Sequence, residues 1–336
     1  MRPVPSGPTR SKHPMKIRAF ALATAGALSL GCAQTALAEI ALNDSFAVSG
    51  FVSGSYLRHE TNPGSSTDHF GLDQALVAFR GKSGPAGFVV SLYHEPGTPQ
   101  ETTLLDAALN YQAGSGLAFT AGRFQSILGF ECYFSVDNPN LAFANNELLT
   151  IAPGYHSGIK VEGGSAAWSG GAALLDSVYS GTNYLRGDGE LKGNQGFEAF
   201  VSFKGIKALV VTVGAGHEGA GALTPQASLY DIWATYQLTP STLLAADWSQ
   251  KDGGAGDRGH NWIALVRHDL SARVSAAFRV SADKLKGGAG LTRYTVTPSF
   301  QVTPALTLRT EYSRTNYRNH PVGNDTAVAV QAFLKF

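Results

Sequence analysis

Short segments in which apolar and polar side chains alternate recur along most of this chain, and this pattern constrains the fold more than any other feature. A β-strand places successive side chains on opposite faces, so a period of two predicts a strand with one apolar face. The pattern is clearest where Tyr294, Val296 and Phe300 alternate with threonine and serine. Turn signals separate sixteen such segments, and we expect the number of strands to lie between about fourteen and eighteen. They cover residues 45–57, 69–80, 87–95, 103–112, 117–125, 154–162, 167–176, 195–204, 206–217, 227–238, 242–250, 259–269, 271–283, 291–302, 305–316 and 326–336.

The beginning of the chain predicts export from the cytoplasm. A positively charged stretch that starts at Met15 is followed by an apolar stretch and then by the small residues Ala36 and Ala38. This is the order of elements in a signal peptide, so we predict a signal peptide over residues 15–38 with cleavage after Ala38. We interpret residues 1–14 as an N-terminal extension that is either disordered or precedes the true start. An unusually long positive region is the alternative.

Residues 39–336 carry no apolar run of the roughly 18 residues that a transmembrane helix requires. Helical periodicity is scarce, and Gly is abundant, with 39 residues in the chain. Strands that cross a membrane must close into a barrel, because an open sheet edge leaves backbone groups without partners in lipid. We therefore predict one all-β domain over residues 39–336: a transmembrane antiparallel up-and-down β-barrel of about sixteen strands.

The connections between the predicted strands alternate in length. The short ones are 81–86, 113–116, 163–166, 205, 239–241, 270 and 303–304. The longer ones are 58–68, 96–102, 126–153, 177–194, 218–226, 251–258, 284–290 and 317–325. Transmembrane barrels have short periplasmic turns and longer outward loops, so the alternation predicts that both ends of the barrel lie on the periplasmic side.

The last predicted strand ends in an aromatic residue. Val328, Val330 and Leu334 fall on the same face as Phe336, whereas Lys335 falls on the opposite face. A closing strand of this kind resembles the carboxy-terminal signature of bacterial outer-membrane β-barrels. The resemblance implies that Phe336 is part of an assembly signal.

Composition and charge argue against several other functions. Removal of the first 38 residues leaves 21 basic and 25 acidic residues, which is no basic footprint for nucleic acid. Lipidation of Cys32 is an alternative to cleavage at Ala38, but Ser29 stands where the lipidation motif has Leu.

Residues 214–219 spell a dinucleotide-binding pattern, yet no helix follows that could hold a pyrophosphate. We predict no cofactor, no metal site and no catalytic residue.

The longest predicted connection, residues 126–153, is the candidate functional element. A lumen enclosed by sixteen strands is too wide for side chains alone to fill, so such a loop can narrow it. The loop carries Glu131, Asp137 and Glu147 and neither Lys nor Arg. Basic residues occupy its base and several inward positions of the later strands; these are Arg123, Arg273, Arg279, Arg293 and Arg309. Acidic residues on the loop and basic residues on the wall would create an electric field across an aqueous passage, which is one way that pores select ions. The alternative is an external lid with its acids in solvent.

Three short motifs around this loop point to a family. They are Gly122-Arg123-Phe124, then Leu128-Gly129-Phe130-Glu131, and then Pro153-Gly154-Tyr155-His156-Ser157-Gly158. In about forty residues the chain resembles the outer-membrane β-barrel porin family of the OmpL-like group, and elsewhere its strand pattern is similar to that of 16-stranded bacterial porins. General porins fold the loop at this position into the barrel. The resemblance implies that Glu131 belongs to a pore loop and that His156 anchors it, although a plain structural role for His156 is equally compatible.

The resemblance implies a passive outer-membrane channel for small hydrophilic solutes, and the acidic excess of the mature chain predicts a weak preference for cations. A ligand-specific transporter and a barrel enzyme with an active site at the rim are the alternatives. No histidine near the outer loops has Ser or a carboxylate at a diagnostic spacing, and a spatial triad cannot be read from sequence. The expected partners are outer-membrane lipid and lipopolysaccharide, the barrel-assembly machinery and the solutes. General porins form homotrimers, but nothing in this sequence requires one.

Overall fold

The computed structural model describes residues 39–61, 64–97, 102–141, 153–179, 195–220, 226–253, 258–319 and 323–336. Within these residues all sixteen predicted segments are strands, and one short strand precedes them. In chain order the strands are β1 (Ile40–Ala41), β2 (Phe46–Thr61), β3 (Ser65–Ser83), β4 (Ala86–His94), β5 (Thr102–Gln112), β6 (Ala118–Gln125), β7 (Tyr155–Gly164), β8 (Trp168–Leu175), β9 (Gly196–Phe203), β10 (Leu209–Glu218), β11 (Ala227–Thr239), β12 (Thr242–Gly253), β13 (Gly259–Asp269), β14 (Val274–Leu285), β15 (Gly290–Gln301), β16 (Leu306–Arg318) and β17 (Asp325–Lys335).

The sheet is closed. Each strand from β2 to β16 pairs antiparallel with the next, and β17 returns to pair with β2. In the closing ladder Gln331 lies opposite Ser55 and Lys335 opposite Phe51. The predicted sixteen-stranded up-and-down barrel is therefore confirmed. The extra strand β1 folds back on the start of β2, where Ile40 lies opposite Val48.

The two faces of the sheet follow the alternation in the sequence. On β17, Val328, Val330 and Leu334 are exposed on the outside, whereas Ala329 and Gln331 are buried inside. The same pattern runs around the barrel and gives it an apolar outer surface, as a lipid-facing band requires. Exposed outward side chains of the other strands include Val52, Phe79, Leu109, Phe119, Ile159, Leu174, Val201, Val213, Ile232, Trp248, Trp262, Val266, Phe278, Tyr294, Phe300, Leu308 and Tyr312.

Two connections that were predicted to be long are short. β2 and β3 extend towards each other until only residues 62–64 separate them, although residues 58–68 were expected to form a loop. Likewise, β14 and β15 are separated by residues 286–289 only. The prediction failed because polar side chains on both faces carry no alternation, while backbone pairing continues, as between Leu57 and His69. The alternation of connection lengths is therefore weaker than the sequence suggested.

A two-residue turn joins β3 to β4 through Gly84 and Pro85. Gly84 has φ +57°, in the left-handed region that glycine adopts without a steric penalty. The favoured two-residue hairpin turns contain such a residue, because their twist then matches that of the strands.

No helix within the described ranges is long and apolar enough to span a membrane. The helical element that the structure describes is a single 3-10 turn, Ser135–Asp137, in the connection between β6 and β7. This connection runs through the interior, and the buried apolar residues of the molecule gather around it.

Candidate functional site

The connection between β6 and β7 lies inside the barrel, as predicted, and is called the pore loop below. Its described residues are 126–141 and 153–154. Contacts with the wall are distributed over strands from β3 to β17, including strands on opposite sides of the barrel. The pore loop therefore crosses the lumen and narrows it.

Carboxylates of the wall hold the backbone of the pore loop. Glu198 on β9 accepts hydrogen bonds from the Ser126 hydroxyl, at 2.9 Å, and from the Ile127 amide, at 3.3 Å. Further along, Asp231 on β11 accepts the Gly129 amide at 3.1 Å. A buried amide without an acceptor would cost about 1–3 kcal/mol, and a charged acceptor makes the stronger kind of hydrogen bond. The first residues of the pore loop are thus fixed to the wall.

Carboxylates on two further strands also accept hydrogen bonds from backbone amides of the pore loop. Asp247 on β12 accepts the Phe130 amide at 3.2 Å. Glu311 on β16 accepts the Leu141 amide at 2.6 Å, and its carboxylate is also bonded by the Thr297 hydroxyl at 2.7 Å. Sequence reasoning missed these acids, since it searched the wall for basic residues. The signal was present: each acid stands at an inward position in the alternation of its strand.

Glu131 and Arg279 form a two-pronged ion pair. The Nε and Nη2 atoms of Arg279, on β14, donate to the two carboxylate oxygens of Glu131 at 2.8 and 3.0 Å. Both side chains are almost completely buried, with exposures of 0% and 2%. Arg279 also donates to the Ser281 hydroxyl at 2.7 Å. The sequence predicted that these charges would face each other, and the structure brings them into direct contact.

The next turn of the pore loop is held by the neighbouring strands β16 and β17. Arg309 on β16 donates to the carbonyl oxygens of Asn138 and Ser135, at 2.9 and 2.8 Å. The carboxylate of Asp137 accepts a hydrogen bond from the Lys335 ammonium at 2.7 Å. Arg309 and Asp137, which the sequence predicted as site residues, therefore each contact a group across the interface between pore loop and wall.

Aromatic packing completes this attachment. Phe134 packs against Phe51 and Tyr93, with ring centroids 5.2 and 5.5 Å apart. Tyr133 packs edge-on against Tyr155 of β7 at 5.3 Å. Burial of one such ring contributes about 1.5–3 kcal/mol relative to exposure. The cluster lies on the side of the lumen opposite Arg279, so the pore loop is held on both sides.

Two glycines of β10 leave space for the pore loop. A Cβ atom at Gly214 would lie 2.4 Å from Cδ2 of Leu128, and one at Gly216 would lie 3.3 Å from its Cδ1. Both glycines belong to the pattern at residues 214–219 that resembles a dinucleotide motif. Their structural role is to admit the Leu128 side chain into a small apolar cluster with Ile127.

The other predicted site residues lie in different surroundings. Arg123 is buried on β6, with its guanidinium 5.9 Å from the Tyr155 ring centroid. Arg293 is on β15 and donates to the Thr315 hydroxyl at 3.0 Å. Arg273 is exposed in the turn between β13 and β14. Glu147 lies outside the described residues.

His156, the predicted loop anchor, is fully buried on β7. Its Nε2 atom lies 3.5 Å from Oε2 of Glu198, the carboxylate that also holds Ser126. The ring of Phe124 packs edge-on against the imidazole at 5.3 Å. These contacts place His156 at the point where the pore loop leaves the wall, and the anchor role remains a prediction.

A second segment, at the end of β8, is attached in the same way. Glu218 on β10 accepts the Ser177 hydroxyl at 2.9 Å and the amides of Val178 and Tyr179 at 2.8 and 2.9 Å. Partial burial raises the pKa of the neighbouring Asp176 carboxyl, against the opposing effect of hydrogen bonds from the backbone. Beyond Tyr179 the connection leaves the described residues.

A cavity of about 930 Å³ lies beneath the pore loop, at the end of the barrel that carries the short turns. Its roof includes Phe130 and Val136 of the pore loop, and its wall is formed by the adjoining ends of the strands from β10 to β17. No group of three or more potential metal ligands occurs within the described part of the chain.

Comparison with known proteins identifies the family. Residues 45–335 match the family described as "Putative beta-barrel porin-2, OmpL-like". The chain belongs to this family. The match covers the whole barrel and agrees with the resemblance found in the motifs around the pore loop. No curated protein sequence matches the chain significantly.

Solved porin structures share the fold. The high-pH structure of OprB from Pseudomonas putida has a TM-score of 0.70 at 13% identity and covers 87% of this chain and 94% of its own. The anion-selective porin from Comamonas acidovorans has a TM-score of 0.66 at 12% identity, with coverages of 87% and 99%. OmpF from Salmonella typhi, in complex with daunomycin, has a TM-score of 0.65 at 13% identity, with coverages of 89% and 100%. At such identities the likeness establishes the architecture alone.

Proposed function

We propose that this protein is an outer-membrane porin that lets small hydrophilic solutes diffuse passively and discriminates only weakly between charges. One observation carries the proposal: a closed sixteen-stranded barrel whose longest described connection is fixed across the lumen by wall carboxylates and by the Glu131–Arg279 pair. A barrel of this size admits water unless something narrows it. The pore loop is that constriction.

Weak charge selectivity follows from the pairing of the loop acids. Glu131 contacts Arg279, and Asp137 contacts Lys335, so neither pair presents an isolated charge to a passing ion. The remaining charges act through water and are screened over about 8 Å at physiological salt. Permeation should therefore be biased rather than strictly selective.

The arrangement around His156 does not favour the enzyme alternative. Ser126, Glu198 and His156 lie close together, which are residue types of a hydrolase triad, but Glu198 and His156 are fully buried. The Ser126 hydroxyl donates to the carboxylate rather than to the imidazole, whereas a nucleophilic serine needs the imidazole as its base. We assign this group to anchoring of the pore loop.

The surroundings of the channel follow from its location in the outer membrane. The exposed apolar band is suited to lipid. We propose that lipopolysaccharide surrounds its outward half. We propose that the signal peptide delivers the chain to the periplasm and that the barrel-assembly machinery recognises the strand ending at Phe336. A homotrimer is the assembly that we propose by analogy with general porins.

Liposome swelling tests the proposed function. Protein refolded into liposomes should admit small neutral sugars and exclude larger ones, with rates proportional to concentration and without saturation. Saturable uptake of one sugar among several of equal size would instead identify a ligand-specific transporter. No swelling with any solute, from a barrel shown to be folded by its heat-modifiable gel mobility, would contradict the proposal.

A further inference from the structure

The cavity beneath the pore loop has a basic lining. Four cationic side chains line it: Arg267, Arg273, Arg309 and Lys335. Two acids line it, Asp137 and Asp269. Glu131 is absent from this lining, because it is buried against Arg279. The described charges of this cavity, called the vestibule below, therefore have an excess of positive charge.

Pairing within the vestibule shows which positive charges stay available. Lys335 is paired with Asp137 at 2.7 Å, and Arg267 is paired with Asp269 at 3.1 Å. Among the described residues, no carboxylate lies within 4 Å of the guanidinium of Arg273 or of Arg309. Arg309 donates to carbonyl oxygens, which are dipoles and leave its net charge in place.

Arg273 and Arg309 lie on the same part of the wall. Ser275 on β14 pairs with Ser299 on β15, which pairs in turn with Arg309 on β16. Two strand spacings therefore separate Ser275 from Arg309, which is roughly 10 Å. Arg273 precedes Ser275 by two residues and lies in the turn just before β14 begins. Both arginines line the same cavity.

Neutral donors surround these charges. Hydroxyl and amide side chains also line the vestibule, at Ser275, Ser299, Gln301 and Thr307. Guanidinium groups with adjacent hydroxyl and amide donors match the oxygens of carboxylates and phosphates. Because Arg273 is exposed, a hydrated anion can reach it without displacing a protein partner.

We propose that the vestibule is a low-affinity site for small oxyanions, which gives the channel a modest preference for anions. This inference rests on the proposed porin function and adds the class of solute. It reverses the sign expected from net charge alone, because the net charge counts every acid of the chain, whereas an ion in the vestibule is nearest to the charges that line it. Arg273 is the principal residue of the site. Arg309 contributes its positive charge from β16, where its guanidinium is bonded to carbonyl oxygens of the pore loop.

Reversal potentials in a KCl gradient test the sign of the preference. The wild-type channel should pass chloride more readily than potassium. Arg273→Gln should lower the ratio of anion to cation permeability by about twofold, a modest change because ions screen the charge over ~10 Å at 0.1 M salt. Arg273→Lys should retain the ratio. Arg314→Gln is the matched control, because it removes the same charge from the exposed outer face of β16.

Inorganic phosphate tests the site itself. Phosphate should reduce the wild-type chloride current, and the half-blocking concentration should rise roughly tenfold in Arg273→Gln, as expected for loss of a hydrogen bond to a charged donor. A conducting channel that prefers cations, or whose preference and phosphate block are unchanged in Arg273→Gln, would overturn this inference and leave the porin function intact. A folded barrel without conductance would instead overturn the porin function, and this inference with it.

Discussion

At the scale of single residues, the contact between Glu131 and Arg279 is the most informative about how the pore loop is held, because both charged side chains are buried away from water. Removal of one partner from a buried pair leaves the other uncompensated, which costs about 3–5 kcal/mol. The sequence predicted the two residues, but it predicted a field across an aqueous gap. The difference between a gap and a contact depends on the path of the pore loop, which no local pattern encodes.

Replacement of Glu131 tests this pair. Glu131→Gln should loosen the pore loop, because Arg279 loses the carboxylate to which its Nε and Nη2 atoms donate. Single-channel recording should show larger and noisier open currents than in the wild type. Glu60→Gln is the control, since its pair with Arg58 is exposed on the outside. Unchanged open currents in Glu131→Gln would show that the pair does not hold the constriction.

Gly214 offers a second test at this scale. Gly214→Ala places a Cβ atom against Leu128, and overpacking of this kind costs about 1–3 kcal/mol. Leu128→Ala in the same chain should relieve the clash, so the double variant should have a higher thermal stability than Gly214→Ala alone. Strictly additive losses of stability in a double-mutant cycle would contradict the contact between Gly214 and Leu128.

At the scale of elements, the sequence predicted all sixteen barrel strands, because each carries an apolar face for lipid and a polar face for the interior. Strand ends that rise above the membrane were predicted poorly, as at β2 and β3, since both faces there are polar. Strand β1 and the 3-10 turn Ser135–Asp137 were missed, because a few residues give no periodicity. The inward course of the pore loop was predicted from its position and length, whereas its carboxylate partners were not. The alternation places these carboxylates on the inward face, but it does not show which backbone amides of the pore loop they would bond.

Those wall carboxylates can be tested by hydrogen exchange. Asp231→Ala should leave the Gly129 amide without its acceptor. A hydrogen bond to a charged group contributes about 1.5–3 kcal/mol, so protection at Gly129 should fall by roughly 10- to 100-fold. Asp252→Ala serves as the control, because Asp252 is exposed and bonds Gln250 of its own strand. Equal protection of Gly129 in wild type and Asp231→Ala would show that the wall does not fix the loop.

At the scale of the whole molecule, closure of the barrel depends on the pairing of β17 with β2. The chain end takes part in it, because the amide of Phe336 donates to the Gly50 carbonyl at 2.9 Å and the Gly50 amide donates to the Phe336 carbonyl at 2.6 Å. An open edge in lipid would leave such groups without partners.

Phe336→Asp should therefore reduce the amount of folded barrel in the outer membrane. The substitution leaves the backbone donor and acceptor of residue 336 in place, so we attribute such a loss to recognition of the side chain during assembly. Heat-modifiable gel mobility of isolated outer membranes measures it, with Lys335→Gln as the control for a change at the neighbouring, inward position. Normal assembly of Phe336→Asp would contradict a role for this residue as a signal.

We propose that the pore loop narrows a passive channel from inside the barrel. Single-channel conductance in planar bilayers tests this narrowing, when the wild type is compared with a variant in which residues 130–150 are replaced by a short Gly-Ser linker. Heat-modifiable mobility must first show that both barrels are folded. We expect a stable, non-saturating conductance for the wild type and a several-fold larger one for the variant. Equal conductances would show that the loop does not narrow the passage.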